Sequence, residues 1–487
     1  MVVGAGLGGL SAALHLAGAG RDVVVVERGP APGGLAAPMS IDGYSFDAGP
    51  AVLTMPDIVE RTLGAVGERM ADWLDLIPLA PAYRARFADG STLDVHTEPN
   101  AMAAAIEELA GPDEAHGYLR LVGWLTRLYR VEFGSFIDRN IDGPLGLVSA
   151  DLARLVALGG FRRLSTMVGR FLRDDRVRRL FSFQALYAGV APHEALALYA
   201  VIGYMDTVAG VFYPRGGVRA LPEALAGAAA SHGVSFHYGA EATRIEVRNG
   251  RAVAVHIAGG DPIPAGAVVV NADQARAYRT LLAGVRAPRR LTRARYSPSC
   301  FLLHIGAPTE YSHLAHHTIL FGAAWEETFD QIIHGGQTMT DPSLLVCNPS
   351  RTDPTLAPPG RHTYYVLAPT PNTSAGIDWT GYRDELMGVL ERRGLAGLAD
   401  GAEVERVVTP ADWAKLGLTM GTPFSLAHTF RQTGPFRPPN MCPGVSNVVF
   451  AGAGTHPGVG VPTVLISGRL AAERLTGGSG SRRGRRR

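Results

Sequence analysis

The chain has 487 residues, too many for one compact core, so two domains or one composite two-part body is expected. Charged residues make up 18 % and hydrophobic ones 46 %, and the net charge of +2 argues against a nucleic-acid binder. Cys300, Cys347 and Cys442 form no CxxC pair, which argues against a zinc ribbon, a redox dithiol or a disulfide framework and predicts a reducing, cytoplasmic setting.

Residues 1–28, "MVVGAGLGGLSAALHLAGAGRDVVVVER", carry a βαβ pattern. Val2 and Val3 enter a turn at Gly4, Gly6, Gly8 and Gly9; Leu10 to Ala17 read as a helix that stops at Gly18 and Gly20. Val23 to Val26 read as a buried parallel strand with Glu27 at its carboxyl end. Gly4 suits the tight turn, Gly6 lets a pyrophosphate reach amides at the helix N-terminus, and Gly9 lets helix and strand pack closely. Glu27 can accept ribose hydroxyls and disfavours a 2′-phosphate. A lone GxGxxG is weak, but strand, helix, second strand and acid at these offsets favour nucleotide binding over a plain turn. Only three residues precede Gly4, fewer than an ordinary strand of about five, so a start upstream of Met1 is one expectation. The opening lacks the charged start and cleavage site of a signal peptide, and no apolar run approaches the ~20 residues of a membrane span.

After Glu27 comes "RGPAPGGLAAPMSIDGYSFDAGPAVLT", where a plain NAD domain would place another crossover helix. The pair Gly33 and Gly34, and "DAGP" at Asp47 to Pro50, instead suit an extended FAD lying across the domain. Residues 76–214 read as largely helical. Within them, 152–183 interleave Leu, Phe, Val and Met with arginines from Arg162 to Arg179, a pattern open to two readings. One is a basic amphipathic helix lying on anionic lipid, the other an ordinary solvated face. Further on, "GVSFHYGAEATRIEVRNGRAVAVHIAGGDPIPAGAVVVNAD" alternates as antiparallel strands around an Asn249-Gly250 hairpin and ends in a buried strand. Residues 291–429 read as mixed strands and helices. His313, His316 and His317 invite a metal reading, but without a matching carboxylate pattern structural histidines are favoured and no metal site is assigned. Near the end, "NVVFAGAGTHPGVGVPTVLISG" (447–468) reads as a strand, a glycine loop and a helix.

The order GxGxxG, acid, glycine pair and late glycine loop resembles the flavin amine oxidase and carotene desaturase superfamily. Four stretches narrow the resemblance to bacterial-type phytoene desaturases: 181–234, "HLAHHTILFG" (313–322), "YYVLAPTPN" (364–372) and "AGAGTHPGVGVPTVLISG" (451–468). It covers most of the chain and departs at Leu35, where the family often has Arg, and in the short first strand.

The resemblance implies an α/β fold with a discontinuous, Rossmann-like FAD-binding domain (1–75, 215–290 and 430–476). It implies a helical substrate and membrane-contact region at 76–214 and a mixed α+β substrate domain at 291–429, while the composition of "GGSGSRRGRRR" reads as a basic disordered tail at 477–487. The FAD is expected on Gly4, Gly6, Gly8, Gly9, Glu27, Arg28, Gly33, Gly34, Leu35, Gly49 and Pro50, with Ala242 near the adenine and Asn271 closing the sheet. Gly452, Ala453 and Gly454 would flank the ribityl chain, and Gly460, Val461 and Pro462 the isoalloxazine.

A hydrocarbon such as phytoene offers no heteroatom to activate, so the implied reaction removes a hydride from one carbon and a proton from its neighbour. The implied partners are a lipophilic polyene, a membrane surface facing the cytoplasm, and oxygen or a quinone that finally takes the electrons. No catalytic residue is assigned. His456 and Asp151 are proton-acceptor candidates, each with a plain alternative: His456 as a backbone cap and Asp151 as a helix cap. Two other functions stay open. A flavin amine oxidase would need a lysine at the flavin, and Lys415 is the only lysine in the chain. A carotenoid isomerase or polyene-binding flavoprotein would show no net redox.

Overall fold

The computed structural model describes residues 1–477. Most of the tail expected over 477–487 therefore lies outside the described residues. Five strands form a parallel sheet in the order Ser235–His237, Val24–Val26, Val2–Val3, Val268–Val270, Val448–Phe450. Two residues suffice for the central strand, because Val2 lies opposite both Val25 and Val269. Its neighbours are runs of valine, as expected for parallel strands covered on both faces.

The first helix, Leu7–Gly18, and the last, Val461–Thr476, cross in close contact. Ser11 Oγ donates to the Leu465 carbonyl at 2.6 Å. At the crossing a Cβ on Gly468 would overlap the Gly8 carbonyl oxygen, so the absence of a side chain sets this approach. The two ends of the chain thus build one half of the molecule together.

A second, seven-stranded sheet runs Val404–Val408, Ser299–Ala307, His362–Thr370, Leu344–Cys347, His317–Leu320, Tyr83–Arg86, Thr92–Val95. The region 76–214, expected to be largely helical, is so between Pro99 and Thr207, but its two ends are strands. Tyr83–Arg86 and Thr92–Val95 join the outer sheet, and Leu76–Pro78 and Val211–Pro214 pair in a small third one. The helical part is Pro99–Ala110, Pro112–Glu132 and shorter pieces up to Thr207.

The basic stretch 152–183 is not one helix either. Gly159, Gly160 and Gly169 break it into Ala150–Ala157, Leu164–Val168 and Asp175–Leu180. Several of its arginines are already engaged, Arg176 with Asp174 and Asp89, and Arg179 with the Gly322 and Ala323 carbonyls. The Asn249-Gly250 turn joins Ala242–Arg248 to Arg251–Ile257, with φ of 50° and 71°. These left-handed values fit a type I′ hairpin.

Candidate functional site

One cavity of about 1220 Å³ lies against the carboxyl ends of the parallel strands, larger than the ~300–1,000 Å³ of ordinary small-molecule sites. Its wall includes Gly4, Gly6, Gly8, Glu27, Arg28, Gly33, Gly34, Leu35, Gly49, Pro50, Ala242 and Asn271. From the other end of the chain it includes Gly452, Ala453, Gly454, Gly460, Val461 and Pro462. Gly9 is the exception: it faces inward, where a Cβ would overlap the Gly4 carbonyl oxygen, so its role is helix–strand packing.

These distant segments meet at backbone distance. Gly33 N donates to the Ala5 carbonyl at 2.9 Å, and Asn271 Nδ2 to the Ala451 carbonyl at 3.0 Å. A Cβ on Gly6 would stand 2.7 Å from Asn271 Oδ1, and one on Gly8 2.9 Å from Asn271 Nδ2 and 3.2 Å from Gly452 N. A Cβ on Gly49 would stand 2.6 Å from the Leu35 carbonyl oxygen. Glu27 spans the opening of the loop: Oε2 accepts from Ala5 N and Oε1 from Gly29 N, both at 2.8 Å. Arg28 donates to the Leu416 carbonyl at 2.5 Å.

The fit to FAD rests on donors. The helices Leu7–Gly18 and Val461–Thr476 begin at Gly6 and Gly460, neither of which supplies a side-chain cap, and both starts line the cavity. First-turn amides with no internal partner form a positive end suited to an anion. Two such ends in one cavity match a pyrophosphate and a flavin ring that gains negative charge on reduction.

Much of the remaining wall is apolar, from Cys300, Leu302, Leu345 and Leu367 on the outer sheet to Leu147, Leu152, Leu155, Phe161, Leu196 and Phe430 among the short helices. Phe161 and Phe430, with ring centroids 6.3 Å apart, line the cavity and reach solvent. Leu145 and Val148, 88 % and 76 % exposed, stand in the adjoining segment.

His456 lines the cavity, and burial pushes its imidazole down to about 4, so it is neutral at ordinary pH. Asp151 does not line it. Ser149 is the cap of that helix, while Asp151 accepts from Ser135 at 2.5 Å and from Arg154 at 2.6 Å, bonds that hold its carboxyl below the usual range. A half-buried, ion-paired carboxylate outside the cavity is no proton acceptor for a ligand inside it. Lys415 is likewise outside, 76 % exposed and paired with Asp412 at 2.8 Å, which removes the lysine an amine oxidase would need. His316 and His317 are structural: His316 Nδ1 meets Thr352 Oγ1 at 2.7 Å, and His317 Nε2 meets the Ala51 carbonyl at 3.0 Å.

Four groups at the site escape a reading of the sequence. Asp206 and Glu132 are buried acids in the cavity wall, with exposures of 4 % and 3 %. Burial lifts Asp206 to about 7 and Glu132 well above the carboxylate range. His428 also lines the cavity, and a Cβ on Gly458 would overlap its ring. Arg437 is buried behind the late glycine loop, where burial lowers it to about 10. The signal for the acids is an ionisable residue inside an apolar helical run, as in "YAVIGYMDTVAG".

The family model described as flavin containing amine oxidoreductase matches residues 7–476. A Streptomyces griseus protein named phytoene dehydrogenase is 58 % identical over 98 % of this chain and 95 % of its own length. A lycopene-forming phytoene desaturase of Pseudescherichia vulneris is 34 % identical over 97 % of this chain and 98 % of its own. Among solved structures, cyclohexylamine oxidase from Brevibacterium oxydans superimposes with a TM-score of 0.60 at 15 % identity, covering 98 % of both chains. An oxidoreductase from Methanosarcina mazei gives 0.63 at 16 %, covering 96 % of this chain and 98 % of the other. The glycine-bared cavity and these full-length matches place the chain in the bacterial phytoene desaturase family of FAD-dependent flavoproteins.

Proposed function

We propose that the chain desaturates phytoene or a closely related polyene, introducing a carbon–carbon double bond with each hydride and proton removed. One observation carries this reading: a single cavity joins the two uncapped helix starts to an apolar wall that runs out to the exposed Phe161 and Phe430. Residues 1–75, 215–290 and 430–476 serve as the coenzyme-binding body, and the remaining segments cover the substrate.

In the proposed mechanism Gly6, Gly8 and Glu27 hold the nucleotide end of FAD, and Gly49, Pro50, Gly460, Val461 and Pro462 hold the ring. The bound flavin supplies the hydride acceptor. The protein's own part is positional: Leu302, Leu345 and Leu367 line the cavity beside that end, exclude water and align a flexible hydrocarbon. Oxygen or a quinone would be the final electron acceptor.

Leu145, Val148, Val156, Phe161 and Phe430 are exposed, and Phe161 and Phe430 also line the cavity, with Arg162 and Arg163 exposed beside Phe161. An apolar rim with basic neighbours suits seating on the cytoplasmic leaflet, from which a lipid-soluble substrate would enter.

Expression in a phytoene-accumulating host tests the function. Coloured products lighter by pairs of hydrogens support it; FAD-loaded protein that leaves phytoene unchanged in liposomes with an acceptor present overturns it. A product of unchanged mass and altered double-bond geometry would establish the isomerase instead. For membrane seating, Leu145→Glu with Val148→Glu is expected to reduce co-sedimentation with anionic vesicles, and undiminished binding would reject this rim as the docking face.

A further inference from the structure

A buried acid in the cavity wall has no structural role that its surroundings explain. Asp206 sits in the helix Ala200–Thr207 with 4 % of its surface exposed, and its carboxylate has one side-chain partner, the Tyr83 hydroxyl at a long 3.4 Å. A buried structural acid normally accepts several hydrogen bonds or pairs with a cation. Asp47, in the same half of the molecule, shows that pattern, accepting from Tyr213 at 2.9 Å and from Val218 N at 2.8 Å. Asp206 instead borders a cavity built for an apolar ligand.

Its position connects to the coenzyme end. The Tyr83 ring packs on His317 at 5.3 Å between centroids, and His317 Nε2 meets the Ala51 carbonyl at 3.0 Å. Ala51 follows Gly49 and Pro50, and all three line the cavity. Tyr365, another wall residue, donates to the Gly49 carbonyl at 2.8 Å. The surroundings of Asp206 therefore hold the loop expected against the ring.

We propose that Asp206 is the proton acceptor of the desaturation, the Asp206 carboxylate taking H⁺ from the carbon next to the one that loses hydride. This rests on the desaturase reading. The step balances: one C–H bond gives its electron pair to the bound flavin, and the other gives its proton to a carboxylate oxygen. The electrons of that second bond form the new C=C. Between turnovers the carboxylic acid returns its proton to water.

The ionisable groups around Asp206 are Tyr83 and Tyr187, with Cys347 and His317 beyond them. Burial raises Asp206 to about 7, and the Tyr83 donor opposes the rise. Such a carboxylate suits a base working near neutral pH. Glu132 lines the same cavity with one oxygen unpartnered, but burial alone raises its carboxyl and no donor beside it favours the charged form that accepts a proton.

The test compares holoenzymes of wild type, Asp206→Asn, Asp206→Glu and Tyr83→Phe with phytoene in liposomes. Wild type should show a pH–rate profile that falls on the acid side with a midpoint near 7. D206N should keep its flavin content and visible spectrum, lose ~10²–10⁴-fold in rate and lose the acid limb; D206E should retain that limb. Y83F should move the midpoint upward, because it removes the donor that favours the charged form.

Thermal melts give a readout independent of turnover. The Asp206 carboxyl is raised in the folded state, so its ionisation penalty grows from about pH 4 and is complete above about 7. The melting-temperature gain of D206N over wild type should therefore widen over that range and then level. An active wild type with D206N within threefold and an unchanged profile overturns the proposal. So does an acid limb that vanishes in Glu132→Gln but persists in D206N, or a flat melting difference. A wild type without desaturase activity sinks the functional reading itself, a different result from any of these.

Discussion

Arg437 donates to the Ala453 carbonyl at 2.7 Å, and its remaining contacts also go to backbone carbonyls, those of Leu426, Gln432 and Thr455. Among the described residues it makes no ion pair, although it is 2 % exposed. The guanidinium is a five-donor staple that pins the late glycine loop to the segment 426–437. Arg437→Met would strand several buried carbonyls at ~1–3 kcal/mol each, so an overall loss of about 3 kcal/mol is expected. Chemical denaturation checks this, and the loosened loop should release FAD on dialysis.

Two glycines at the N-terminal helix separate sterics from conformation. Gly9→Ala drives a Cβ into the Gly4 carbonyl and should lower stability by ~3 kcal/mol and abolish FAD binding. Gly20→Ala meets nothing within 4 Å but has a φ of +69°, so only the left-handed strain of about 1 kcal/mol is expected, with FAD retained. Urea midpoints and flavin-to-protein ratios distinguish the two.

Glu27→Gln removes a charge that accepts from two amides, at 2.8 Å each, and turns one acceptor into a donor facing a donor. FAD affinity should fall about 10- to 100-fold, ~1.4–2.7 kcal/mol. Fluorescence titration of the apoprotein measures it.

His317 is buried and held neutral, its imidazole pushed down to about 4 from 6.5. The unfolded chain therefore takes up a proton below pH 6.5 while the folded chain does not. The native state keeps its full stability above 6.5 and loses it as pH falls toward 4, by roughly 2 kcal/mol between pH 7 and 5 from this group. In His317→Gln the melting-temperature drop between those pH values should shrink relative to wild type.

The parts of the fold legible in the sequence are those set by local chemistry. Gly4, Gly6 and Gly9, the all-valine strands and the Asn249-Gly250 turn each force one backbone arrangement. The Tyr83–Val95 hairpin carries a signal of the same kind, alternation around Asp89 and Gly90, which a helical reading of 76–214 passes over. Gly159, Gly160 and Gly169 likewise mark the breaks in 152–183. Asp206, Glu132 and Arg437 are different. "TGPFRPPN" reads as a solvated turn, and only the packing of segments far apart in the chain makes its arginine a buried staple. Burial is a property of the assembled fold, so the sequence marks Asp206 only as a lone acid in an apolar run and does not say that it faces a cavity.

The crossing of Gly8 and Gly468 orders events during synthesis. A nascent chain still tethered before residue 448 has the first glycine turn but lacks the edge strand and the helix that wall its other flank. With the proposed coenzyme site, capture would wait until residues 448–476 have emerged. A ribosome stalled before residue 448 would then yield a colourless product.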